Sequence, residues 1–367
     1  MPNKRLHYGI MQVGFAPDGS TTFVEAHGVQ SCGITTTFNL QQVFELGQLE
    51  IYDNIENIPD IEVTMEKVMD GYCPLYLLAT RGATASDIAG RSVAKSSVAM
   101  SLFPDTGSSA NGTPNAQVTM SGMVVSSVQY QFPVDGNFTE SVTLVGNDKV
   151  WRTSAFTFSG AFTTNADTPV SSAGSGGVNQ RQHFLFKPSA AAQTGTLDTN
   201  SQLVDGNVSV LPRNLPGISS SGINNKVGDE FLCKVQSVSV STDFGREDLL
   251  NLGAKTPYFR FVTFPVEVTC EIEVLSLSGD MVSATNAGVF AGGTNLQNQS
   301  IRIATKEGLR LNLGTKNKLQ SVSMNGGDTG GGNQSMTFSY STFNSLDVKH
   351  WNDVTTALAP PQGGVDN

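Results

Sequence analysis

The chain has 367 residues, only 15% of them charged, and a net charge of −10. Globular chains average about 25% charged residues, so this surface must be finished with Ser, Thr, Asn, Gln and Gly. The acidic balance excludes a basic nucleic-acid footprint, though not a protein past which nucleic acid slides without sticking.

In chain order, Lys4 and Arg5 are followed by no apolar core of signal-peptide length, and no apolar run approaches the ~18 residues of a membrane span. Residues 24–38 alternate apolar or small with polar side chains and read as a strand. Asn39 then has the grammar of a helix start: Gln42 stands three residues on, Phe38 and Val43 fit a hydrophobic staple, and Gly47 offers a left-handed stop. A strand led by Pro59 follows, in which Ile61, Val63 and Met65 alternate with Asp60, Glu62, Thr64 and Glu66. A short helix is expected around Leu75–Thr80, a strand over Val93–Leu102, and a loop at Gly107–Asn115. Residues 118–132 and 138–146 read as two strands joined by a turn at Pro133-Val134-Asp135-Gly136-Asn137, and Trp151–Phe158 as another. From 159 to 228 the chain is rich in Ser, Gly, Asn, Thr and Ala, and reads as a linker or insertion.

Beyond that segment the chain repeats itself. Val29-Gln30-Ser31 returns as Val235-Gln236-Ser237, Thr36 as Thr242, Phe38 as Phe244, Leu46-Gly47 as Leu252-Gly253, Tyr52 as Tyr258 and Pro59 as Pro265. The helix grammar recurs too, with Gly245 at the cap, Asp248, Leu249 and the stop at Gly253. One residue is then dropped to match Glu62-Val63-Thr64 with Glu267-Val268-Thr269, which sets Glu66 against Glu271 and Met65 against Cys270. Fainter echoes pair Ser127-Val128 with Ser321-Val322, and Ser141–Leu144 with Ser335–Phe338. Strands at 318–324 and 333–342 flank the glycine-rich loop Asn325-Gly326-Gly327-Asp328 through Gly332. Repeats in the same order mean two copies of one folding unit. The expected division is a β domain over 1–158, a linker or insertion over 159–228, a second β domain over 229–350 and a frayed tail over 351–367.

No reaction centre accompanies the repeat. The cysteines (Cys32, Cys73, Cys233, Cys270) have no CxxC spacing and read as small buried hydrophobes. The histidines (His7, His27, His183, His350) form no metal-ligand pair, and no nucleophile elbow occurs. Residues Gly326–Gly332 lack the Lys and Ser/Thr of a phosphate loop, which leaves Asn325, Gly326, Gly327 and Asp328 as an inter-subunit loop candidate. The expectation is no catalytic residue, no metal and no cofactor. The acidic strands have two accounts: Glu62, Glu66, Glu267, Glu271 and Glu273 either form a solvated outer face or line a channel that repels phosphates.

Two segments carry a resemblance: Phe44–Pro59, and Asp243–Glu247 continued by Pro257–Thr269. With Leu215-Pro216-Gly217-Ile218-Ser219-Ser220-Ser221-Gly222, they resemble structural tail proteins of tailed bacteriophages, marine and cyanobacterial ones above all, and within them the tail tube or major tail protein. The likeness covers most of residues 25–80 and 210–275. It implies a mainly β fold of two tandem tube-type sandwich or barrel domains, each with a short flanking helix. It also implies stacked rings, either hexameric or, given the duplication, trimeric with pseudo-six-fold symmetry. Implied partners are further copies of the chain, other tail proteins (baseplate or tip, terminator, tape measure, a sheath) and DNA in transit. The implied place is the virion, after assembly in the host cytoplasm. A baseplate hub or distal tail ring is an alternative. A carbohydrate-binding decoration or adhesin module is another, although such modules use aromatic platforms and Trp occurs only at Trp151 and Trp351.

Overall fold

The computed structural model describes residues 9, 11–83, 85, 87–103, 114–153, 158–159, 178–181, 184–187, 233–254, 257–276, 282–283, 289–290, 298, 301–305, 309–326 and 332–350. The first half builds β1 (Met11–Pro17), β2 (Phe23–Glu25), β3 (Val29–Thr37), β4 (Leu40–Phe44), β5 (Ile51–Glu56) and β6 (Asp60–Val68). It continues with α1 (Leu75–Ala79), α2 (Ile88–Ser92), β7 (Ser96–Leu102), β8 (Ala116–Pro133), β9 (Thr139–Gly146), β10 (Val150–Arg152) and β11 (Phe158–Ser159). The second half builds β12 (Phe184–Lys187), β13 (Cys233–Asp243), β14 (Arg246–Leu249), β15 (Phe259–Val262), β16 (Glu267–Ser276), β17 (Val282–Ser283) and β18 (Val289–Phe290). It ends with β19 (Arg302–Thr305), β20 (Arg310–Asn312), β21 (Lys318–Asn325), β22 (Ser335–Phe343) and β23 (Asp347–Lys349). The molecule is mainly β, as the alternating sequence requires.

Strand connectivity is the same in both halves. In the first, β3 pairs β6, β6 pairs β9 and β9 pairs β8. In the second, β13 pairs β16, β16 pairs β22 and β22 pairs β21. The second layers correspond as well: β1, β7, the start of β8 and β10 are matched by β12, β19, β20 and β23. Phe184–Lys187, inside the segment read as linker, is thus an edge strand paired to β19. Most of 159–228, most of the loop expected at Gly107–Asn115 and the tail expected at 351–367 lie outside the described residues. β8 serves both layers, since Ala116–Met123 pairs β7 while Val124–Gln131 pairs β9. Gly122, at φ 65°, lies where the partner changes, a backbone conformation that a Cβ would strain.

The β-bulges fix residue-to-residue equivalence. One falls between Val29 and Ser31 and recurs between Val235 and Ser237. Another falls between Val125 and Ser127 and recurs between Leu319 and Ser321. Across the first bulge Ser31 faces Glu66, whereas Ser237 faces Glu273. The structural partner of Glu66 is therefore Glu273, not Glu271. Likewise Asp60 corresponds to Glu267, Glu62 to Thr269, Thr64 to Glu271 and Met65 to Ile272. The second copy gains a residue before β16 rather than losing one. Ser141 similarly corresponds to Thr337, because it faces Glu66 as Thr337 faces Glu273. A slip of two in a period-two strand keeps every side chain on its own face, so the mismatch left the acidic faces unchanged.

The stretches opening at Asn39 and Gly245 are hairpins, not helices: β4 pairs β5, and β14 pairs β15. An isolated helix of two turns is marginal in water without a packed face, and Leu40, Phe44, Leu249 and Leu250 are exposed here. The glycine signal served a different element, since Gly47 (φ 93°) and Gly253 (φ 87°) stand in the hairpin turns. The helix expected around Leu75–Thr80 forms as α1, fully buried. No α-helix occurs among the described residues of the second half.

The core lies between the layers, lined by the dry faces of β6, β8, β9, β13, β16 and β22. Val63, Tyr130, Leu144, Val240, Ile272 and Phe338 are all buried there in one cluster that runs across both halves. Continuity comes from β8 and β13, which pair from Ser127↔Asp243 to Pro133↔Ser237. The result is an antiparallel sheet of eight strands, β3-β6-β9-β8-β13-β16-β22-β21.

Candidate functional site

The wet face of this eight-stranded sheet is the candidate site. Register builds it in rows. One row crosses the whole sheet: Ser31, Glu66, Ser141 and Gln129 in the first half continue as Ser241, Thr269, Ser341 and Lys318 in the second. Short hydroxyls dominate because they hydrogen-bond across strands, as Ser241 and Thr269 do at 2.8 Å.

All five acidic positions expected from sequence come to this face. Glu62 stands opposite Thr35, and Glu66 opposite Ser31. Glu271 lies between Ser239 and Ser339. Glu273 lies between Ser237 and Thr337 and accepts a hydrogen bond from the Ser237 hydroxyl at 3.1 Å. Glu267 faces Phe343 at the end of β16. Glu62, Glu66, Glu267 and Glu271 are exposed and Glu273 is half-buried. Glu66 and Glu271 sit four strands apart, about 19 Å at the usual strand spacing, so the carboxylates are spread over the face rather than gathered into a pocket. Glu271 and Glu273, two residues apart on β16 and about 7 Å from one another, fall within the ~8 Å Debye length of physiological salt, whereas Glu66 and Glu271 lie well beyond it. The face acts as a diffuse negative sheet, unlike a cation-binding or acid–base cluster.

Two hairpins leave the sheet with apolar side chains outward. In β4–β5 these include Leu40, Phe44, Ile51 and Tyr52, with Leu46 and Leu49 at the tip. In β14–β15 they include Leu249, Leu250, Leu252 and Tyr258. Exposed apolar area of this extent marks an interaction surface. The two differ in anchorage. Arg246 donates from Nε to the Val125 carbonyl at 2.8 Å and from Nη1 to those of Ser92 (2.8 Å) and Arg260 (3.0 Å). Burial lowers the Arg246 pKa to about 10. Arg260 pairs with Asp248 at 3.1 Å and with Asp60 of the first half. Hairpin register places Leu40 where the second half has Arg246, and Asn54 where it has Arg260.

Of the loop candidates, Asn325 ends β21, exposed and opposite Ser335, and Gly326 follows at φ 131°. Gly327 and Asp328 lie outside the described residues, as do His7, His183 and Trp351. Cys73 and Cys270 are buried and Cys32 is partly so. Burial pushes the Cys270 thiol up to about 12, with Glu271 adding to it, and that of Cys32 up to about 11. Both are weak nucleophiles. Among the described residues no group of three or more His, Cys, Asp or Glu is placed to hold a metal ion.

A buried charged cluster on the dry face was not expected. Lys67 Nζ donates to the His27 carbonyl and to Asp70 Oδ1 at 2.7 Å. Glu140 accepts from the backbone N–H of Leu75 and of Tyr76, the latter at 3.1 Å. It thereby caps α1, whose N-cap residue Pro74 offers no side-chain bond. Burial raises the Glu140 pKa, opposed by those two backbone bonds and by the Lys67 charge. The cluster is structural: it holds a helix against the sheet.

No protein-family model matches the chain, and no curated protein matches it. Among solved structures it is similar to a chain of the anti-feeding prophage baseplate, with 14% identity and a TM-score of 0.32, covering 40% of this chain and 95% of that one. It is similar to a chain of the anti-feeding prophage cap, with 11% identity and a TM-score of 0.30, covering 41% and 92%. It is also similar to a chain from the sheath/tube terminator of an extracellular contractile injection system, with 12% identity and a TM-score of 0.31, covering 41% and 99%. These neighbours are components of contractile injection systems.

Proposed function

We propose that this chain is a structural subunit of a phage-type tail tube, assembling into stacked rings whose lumen conducts DNA and whose place is the virion. The observation that carries the reading is the eight-stranded sheet, two equivalent four-strand units joined side by side. One face of it is apolar and packed, and the other is mostly Ser, Thr, Gln and carboxylate, with Lys318 at its β21 edge. A phosphate backbone finds hydroxyls and fixed negative charge there, so it is repelled weakly and bound nowhere.

Strand arithmetic supports three chains per ring. Three copies would contribute 24 strands, and a barrel of that size with the usual 35–45° tilt is about 45–50 Å across its backbone. Side chains narrow that to a lumen wide enough for duplex DNA. Six copies would double the diameter and leave a channel far wider than its cargo. Other tail proteins, at the tip, terminator and tape measure, would bound the stack. The mechanism is closure and stacking, without chemistry.

Electron microscopy of the purified chain, with and without a tail-tip nucleator, is the test. Hollow rods with a regular ring repeat support the proposal. Particles that stay monomeric at every concentration and with the nucleator would remove it, and single closed rings that never stack would move the chain to a hub or distal ring. For the lumen, Glu267→Lys with Glu271→Lys should leave rings intact but slow or trap DNA. Unchanged ejection kinetics would take these residues out of the channel.

A further inference from the structure

We infer that the two free edges of the eight-stranded sheet, β3 and β21, join between copies of this chain in the register of the internal β8·β13 joint. This deepens the tube proposal and rests on it. Among the described residues β3 pairs only with β6, and β21 only with β22, so each edge carries backbone donors and acceptors for which no partner strand is described. The structural equivalences make β21 the counterpart of β8, and β3 the counterpart of β13. A mating surface already made once inside the molecule is thus present, unmated, at its two ends.

Burial says what is missing. Val240 is 1% exposed at the internal joint, and its counterpart Ile34 is only partly covered. Tyr130 is fully buried, and its counterpart Met324 is 58% exposed. The largest difference follows the strand. Phe244 donates its N–H to the Ser126 carbonyl, stacks on Tyr76 and is 1% exposed, whereas its counterpart Phe38 is 70% exposed. A second copy of the chain is the occupant that supplies matching strands to both edges at once. Head-to-tail joining of unlike edges is heterologous, so it closes a ring when the rotation permits.

Copying the internal pairs gives the register between neighbours. Ser241↔Gln129 becomes Thr35↔Ser323, Thr242↔Val128 becomes Thr36↔Val322, and Ser239↔Gln131 becomes Gly33↔Asn325. The hairpin β4–β5 then takes the place that β14–β15 takes inside the chain. Its chemistry differs there, with Leu40 in the place of Arg246 and Asn54 in the place of Arg260. The joint between copies thus lacks the arginine contacts of the joint within them, while Asp53 and Glu56 leave β5 acidic.

Thiol cross-linking tests the register. Thr35→Cys combined with Ser323→Cys, both on the wet face, should give an efficient ladder of linked chains with a short thiol-to-thiol reagent. Thr35→Cys with Ser321→Cys or with Asn325→Cys, each two residues away, should link far less. Native Cys32 gives a readout free of mutation: as the counterpart of buried Val238 it should lose about tenfold in labelling rate on assembly. Assembled particles with Cys32 still reactive and no Thr35–Ser323 link would overturn this inference while leaving the tube proposal standing. Preferred linkage to Ser321 or Asn325 would overturn the register. A chain that never self-associates would overturn both.

Discussion

The two halves share a fold but not a way of holding its far layer. In the first, Lys67 and Glu140 sit on the dry faces of β6 and β9, where Glu140 accepts two backbone N–H bonds from α1 and Lys67 pairs with Asp70. At the equivalent positions the second half has Val274 and Met336, both buried. One ancestral framework therefore tolerates either a satisfied charge network or plain apolar packing at the same depth. The difference follows the helix: where a helix end must be capped inside the core, a carboxylate is retained, and it needs a cation.

The largest test removes half of that network. Lys67→Met leaves Glu140 and Asp70 buried without their cation and should cost about 3–5 kcal/mol in denaturant unfolding. Lys67→Val with Glu140→Met and Asp70→Asn, which removes every charge of the network, should recover most of that loss. A triple variant no better than the single would mean that α1 depends on the carboxylate cap more than on charge balance.

Next comes the phenylalanine pair, one residue in two settings. Phe244→Ser should cost about 3–5 kcal/mol, since it empties a buried aromatic site. Phe38→Ser should change unfolding by no more than about 0.5 kcal/mol, because the side chain is exposed in the free chain. It should nevertheless sharply reduce assembly, measured by sedimentation. Equal losses of stability for the two would contradict the burial difference.

Much of this comparison was legible in sequence, and the failures have physical causes. The repeat, the dry and acidic faces of β6 and β16, helix α1 and the β8–β9 turn follow from period-two alternation and turn residues. Hairpins β4–β5 and β14–β15 were misread because a left-handed glycine ends a helix and turns a hairpin equally well. Matching Glu66 to Glu271 failed by two residues because identity, unlike a β-bulge, does not mark register. Lys67 and Glu140 did carry a signal: each falls in the apolar parity of its strand, with Val63 and Met65 in one case and Val142 and Leu144 in the other. An ion standing in an apolar alternation is expected to be buried and paired. The β12 edge strand was hidden in a segment too polar overall to suggest one.

Acidity offers a smaller, directional test. Burial raises the pKa of Glu140 above its unfolded value near 4.5, so the folded state holds this proton more tightly than the unfolded chain. Its contribution to stability is then full below pH 4.5 and is lost as pH rises through the raised value. Relative to Glu140→Gln, the wild type should lose stability as pH climbs from 4.5. The equivalent Met336 gives the second half no such dependence. A flat or inverted difference between the two proteins would contradict the assigned direction.

The smallest effect separates the joint inside the chain from the joint between chains. Arg260 pairs with Asp60 and Asp248, and their side chains are 48% and 35% exposed, so solvent screens much of the attraction. Arg260→Asn, which installs the residue that β5 carries at the same place, should cost only about 0.5–1 kcal/mol. That loss should shrink in high salt, since the pairs it removes are already screened there. Assembly of the wild type should not weaken over the same salt range, because Asn54 forms no ion pair at the outer joint and salt only screens the repulsion of Asp53 and Glu56. Should assembly weaken with salt as steeply as the Arg260 contribution does, the outer joint is held by ion pairs of its own. The edges would then meet through other groups.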